Sequence, residues 1–133
     1  MLEVGLHEVR VFLHLLAAAI WVGGQLVLAG LVPVLRRVAP EAPGIVARQF
    51  ARIAWPAYLV LVVTGVWNIA AVDGSASDDY RRTLALKLVV VALSGAAALG
   101  HARATTRRGM AVGGALTGLF ALLSLFLGVV LGG

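Results

Sequence analysis

A chain of 133 residues that is 61% hydrophobic and 13% charged carries more apolar surface than one small soluble domain can hide, so it belongs in a bilayer. It has no cysteine, which excludes disulfides, thiolate-held zinc, iron–sulfur clusters and any axial thiolate, and leaves its three histidines to carry metal chemistry. The net charge of +5 would suggest nucleic acid in a soluble domain, but here the basic residues fall between apolar blocks, where orientation and anionic lipid account for them and no nucleic-acid partner is expected.

Four blocks are long enough to cross a hydrocarbon core of roughly 30 Å, which takes about 20 helical residues: 11–35, 53–72, 84–100 and 110–131. Together they predict an all-α fold, a four-helix transmembrane bundle forming a single integral-membrane domain over residues 1–133. The first block runs too far for a cleavable leader and ends in Arg36 and Arg37, so it is expected to stay as a span. Within it His14 is an ionisable ring set in hydrocarbon, which by default marks a functional site. Trp21 and Gln25 follow at i+7 and i+11, a spacing that puts all three near one helix face.

The connection to the second span carries Arg36, Arg37, Arg48 and Arg52 against Glu41 alone. Pro40 to Gly44 should break the chain, 45–52 reads as a helical lead-in with Arg48 and Arg52 on one face, and Pro56 predicts a kink because it removes the hydrogen bond to the Arg52 carbonyl. Thr64, Trp67 and Asn68 lie toward the far end of that span. The next connection, 73–82, is turn-rich and mixed in sign. On the third span Lys87, Ser94 and His101 repeat every seven residues as a polar stripe, and Arg103, Arg107 and Arg108 follow it with no acid. The fourth span shows small residues at Gly114, Gly118, Ala121, Ser124, Gly128 and Gly132, a face that packs on another helix within the bundle or across a homodimer. The two arginine-rich connections should be cytoplasmic by the positive-inside rule, which puts both termini on the extracytoplasmic side of a cell inner (plasma) membrane.

In that orientation His14 and Lys87 each lie about three residues below the outer edge of a span, at one level. His101 is roughly 21 Å deeper than Lys87 at 1.5 Å per residue, too far to share an iron with His14. The outer level gathers His14, Lys87, Trp67 and Asn68, and the inner level His101, Arg52, Arg48 and Trp55. Each of these has a packing alternative. His14 could hydrogen-bond across helices, Lys87 could snorkel to the surface, His101 could bond at the interface, and the tryptophans could anchor or pack. His7 reads as a solvated residue outside the hydrocarbon.

His14 followed by Trp21 and Gly23-Gly24 resembles the first helix of the HemJ-type protoporphyrinogen oxidases and of the four-helix part of the CopD copper-resistance membrane proteins. Arg48-Gln49-Phe50-Ala51-Arg52-Ile53-Ala54 with Thr64-Gly65 is similar to the second helix of the CopD group, and Leu86-Lys87-Leu88-Val89 to the lysine-bearing third helix of both. The resemblance to this CopD/HemJ-like haem superfamily spans most of the chain. It implies a haem b cofactor with His14 as axial ligand and Lys87 in a catalytic place, and the remaining cofactor-binding candidates are Trp21, Trp67, Asn68, His101 and Arg52. Two departures bear on chemistry. The HemJ histidine two residues before the lysine is Ala85 here, and Ala98 stands where a further histidine falls, with His101 a turn later. The extra copper-ligand helices of CopD proteins have no counterpart, and methionine occurs only at Met1 and Met110, which leaves a copper conduit little soft-ligand support.

Small residues at Ala17, Ala18, Gly23, Gly65, Ala97, Gly118 and Ala121 are available to admit a macrocycle, and Arg10 or Arg81 stands on the outer side where its carboxylates would lie. One strong ligand leaves the sixth iron position open or weakly filled by Lys87, which favours a haem-dependent oxidoreductase or chemistry on a diatomic gas such as O2 or NO over plain electron transfer. The expected partners are membrane lipids, haem, and a gas, quinone or porphyrin substrate. The rival readings are CopD-like copper transport, HemJ-like porphyrinogen oxidation, and a structural membrane subunit whose polar residues only join helices.

Overall fold

The computed structural model describes residues 2–71 and 74–132, and almost all of them are helical. Val72 and Asp73, the expected end of span two and start of the following connection, lie outside the described residues. Four helices are long and apolar enough to cross a membrane: α1, Leu6–Val38; α2, Ala42–Ala70; α3, Asp78–Arg103; and α4, Arg107–Gly132. This is a multi-pass membrane architecture, and no strand occurs among the described residues.

Each helix reaches beyond its apolar block because local hydrogen bonds wind the flanking residues. At the start of α1 the Glu8 carboxylate accepts the Gly5 backbone N–H at 2.8 Å. Ala39 donates to the Leu35 carbonyl and Ala42 to the Ala39 carbonyl, both at 2.8 Å, closing a short turn through Pro40 into α2. Because α2 already begins at Ala42, the expected break at Pro40 to Gly44 narrows to that turn; Pro43 sits in the first turn of a helix, where its missing N–H costs nothing. Ser77 caps α3 by accepting the Tyr80 N–H at 3.1 Å, and Asp78 and Asp79 follow at the positive end of the helix. Residues 78–82, read from sequence as part of a connection, are therefore helical. Thr106 caps α4 through the Gly109 N–H at 3.0 Å. Pro33 and Pro56 both lie inside continuous helix.

One irregularity interrupts α1. Ala19–Gly23 winds as a single π turn, wider than the α-helix on either side, and it contains the buried Trp21 and Val22.

The chain divides into two compact units, Met1–Asn68 and Ile69–Gly133. In the first, α1 and α2 run antiparallel: Arg10 meets Trp67, His14 meets Thr64, Trp21 meets Tyr58 and Trp55, and Gly24 meets Phe50. In the second, α3 and α4 are likewise antiparallel, with Lys87 against Gly128, Ser94 against Thr117 and His101 against Gly113. Much of what is buried is small or polar, including Ala17, Ala54, Ala57, Thr64, Ser94, Thr117, Ala121 and Ser124, beside the larger Trp21, Val22, Leu61, Val90 and Leu127, while many large apolar side chains such as Leu59, Leu119, Phe126 and Val129 are exposed. That inversion suits lipid as the solvent, because in hydrocarbon close packing and hydrogen bonds join helices.

Candidate functional site

The first unit builds its polar centre around His14. Thr64 Oγ1 donates to the Val60 carbonyl at 2.7 Å, with the Leu61 carbonyl 3.2 Å away. A hydroxyl has one proton, so toward His14 it accepts, and His14 Nδ1 is the donor in the 2.8 Å bond between them. That network favours the Nδ1–H tautomer. With the proton on Nδ1, the basic lone pair of the neutral ring sits on Nε2, and the ring is held by a hydroxyl whose own orientation is set by the α2 backbone. His14 itself is only partly buried.

Around the π turn three aromatic rings interlock. Trp21 lies 4.6 Å from Tyr58 and 5.5 Å from Trp55 between ring centroids, and Trp55 and Tyr58 meet edge to face at 5.7 Å. Trp21, expected on the His14 face, is nearly inaccessible at 3% exposure. Gln25 is half-buried, and the contact with α2 beyond the π turn is made by its neighbour Gly24, where a Cβ would stand 2.5 Å from the Phe50 ring. One turn before His14, Arg10 holds a position of its own: its Nη2 donates to His7 Nδ1 at 2.9 Å and its Cζ stands 5.7 Å from the centre of the Trp67 ring. His7, read as merely solvated, is thus a partner of Arg10. Asn68 is half-buried, and Arg48 and Arg52 are exposed.

In the second unit the stripe of Lys87, Ser94 and His101 lies along the seam with α4. Ser94, 1% exposed, donates to the Thr117 carbonyl at 3.0 Å. His101 Nδ1 donates to the Met110 carbonyl at 2.6 Å, and its backbone lies so near Gly113 that a Cβ there would come within 2.9 Å of it. Lys87 is half-buried, with Nζ 2.9 Å from where a Cβ on Gly128 would stand. The small-residue face of α4 accordingly packs within this unit at Gly114, Ala121, Ser124 and Gly128, whereas Gly118 and Gly132 meet nothing within 4 Å. Gly23 and Gly65 in the first unit have the same open surroundings.

Among the described residues no three His, Cys, Asp or Glu side chains gather into a metal-binding group. Sequence reasoning named Thr64 without a role and missed Tyr58 altogether. The available signal was pairwise: Trp55 and Tyr58 are three residues apart on α2, as are Thr64 and Trp67, a spacing that makes neighbours within each pair. Comparisons with family models, curated proteins and solved structures return no match for this chain.

Proposed function

We propose that the chain is a membrane-embedded haem b protein with His14 as its one strong axial ligand, working as an oxidoreductase or on a diatomic gas, O2 or NO. The observation that carries this reading is the hydrogen bond from His14 Nδ1 to Thr64. A metal-ligating histidine characteristically donates its other ring N–H to a fixed acceptor, which sets the tautomer and raises the basicity of the coordinating nitrogen. His14 has that donation, to a hydroxyl held by the α2 backbone. A single histidine also suits an iron whose remaining in-plane ligands come from a macrocycle, and the likeness of the His14, Trp21, Gly23-Gly24 segment to the CopD/HemJ group points the same way.

When bound, haem supplies a one-electron iron couple and a coordination position for a small ligand. The protein supplies the rest. Thr64 orients the imidazole, and the packed rings of Trp21, Trp55 and Tyr58 join α1 to α2 beyond it.

The test is spectroscopic. Purified protein should show a Soret band in proportion to protein, and His14→Ala should insert normally while losing most of its haem. A colourless wild type, or a His14→Ala variant with full haem content, overturns the reading. In the same preparations Lys87→Met should keep haem and helix content but lose turnover or gas-ligand stabilisation. Unchanged ligand-binding rates and activity would remove Lys87 from the chemistry.

A further inference from the structure

Arg10 and His14 are four residues apart on the α-helical part of α1, and they meet Trp67 and Thr64, three residues apart on α2. The two side chains therefore share the face of α1 that looks on α2, with their Cβ atoms on the order of 5–6 Å apart. The guanidinium is held from two sides, by His7 Nδ1 and by the Trp67 ring. Both partners are uncharged, since an imidazole nitrogen that accepts a hydrogen bond carries no proton. Arg10 Nε is buried and has no acceptor among the described residues. Buried donors left without a partner are rare, and one on a permanent cation is the kind that a ligand oxyanion satisfies. Arg81, the other arginine expected on this side, differs on both counts: it is exposed and its Nη2 donates to the Gly74 carbonyl at 3.2 Å.

We propose that Arg10, clamped between His7 and Trp67, anchors a carboxylate of the haem. This rests on the haem reading and adds to it the group by which the cofactor's polar arm is gripped. Haem carries two carboxylates on flexible arms at one edge of the ring. A ligand coordinated by His14 and reaching one helical turn along α1 arrives at Arg10.

The full-length apoprotein in zwitterionic lipid discs would be titrated with haem b and with its dimethyl ester, which keeps the iron and ring but has no anionic arm. Wild type should bind the acid about tenfold or more tightly than the ester. Arg10→Gln should lose that preference while binding the ester as wild type does, and Arg10→Lys should recover part of it, with helix content unchanged in both. If wild type binds acid and ester equally, the inference falls while the haem reading stands. If neither is bound, the haem reading falls and the inference with it. If added anionic phospholipid abolishes the acid preference, Arg10 is a lipid-phosphate site and the proposal is overturned. The ester comparison on wild type needs no variant, so it holds even if Arg10→Gln does not fold.

Discussion

Thr64 does two things with one hydroxyl: its proton goes to the Val60 carbonyl and its lone pair receives the His14 N–H. A threonine to valine change keeps the β-branched shape and removes only that chemistry. Thr64→Val should leave insertion intact but lower haem affinity by about 10- to 100-fold, the usual cost of losing the outer partner of a metal-bound histidine. Haem titration checks it, and the loss should be smaller in Thr64→Ser, which restores the hydroxyl. Equal affinities in all three would detach Thr64 from the ligand and leave its bond to His14 as helix joinery.

Along the elements, α3 and α4 approach closely at Gly113, where a Cβ would meet His101 Cα and Cβ at 2.9 Å. Backbone cannot move aside as a flexible side-chain end can. Gly113→Ala should therefore destabilise the α3–α4 pair by about 1–3 kcal/mol, whereas Gly118→Ala, with nothing within 4 Å, should be neutral or slightly stabilising through helix propensity. Unfolding both variants in mixed detergent micelles measures the contrast. These contacts also show what the sequence carries and what it does not. The four helices follow from block length, and a lone His14 in hydrocarbon stands out unaided. The helix ends do not, because Ser77, Thr106 and the Glu8–Gly5 bond act through local geometry that apolar counting passes over. The π turn is equally hidden: Ala19 to Gly23 is apolar throughout, so no periodicity breaks there, yet spacing arguments that run from His14 past it to Gln25 assume a uniform helix. The pairing of His14 with Thr64 depends on the register between two helices, and neither helix encodes that register alone.

For the molecule as a whole, the arginine bias predicts a sidedness. Cysteines introduced singly at Glu41 and Ser75, both exposed in the connections, should react with impermeant reagents from opposite faces, with Ser75→Cys outside and Glu41→Cys in the cytoplasm. Labelling of Glu41→Cys from outside would invert the assignment of both termini. The small and polar seams of the two units have a thermodynamic consequence as well. Parting α3 from α4 inside a bilayer transfers Ala121 and Ser94 from protein neighbours to acyl chains, with little change in the amount of apolar surface touching water. The heat-capacity increment that bends the stability curve of water-soluble proteins arises from that hydration, and here most of it is missing. Helix separation should then respond almost linearly to temperature, with no loss of stability in the cold.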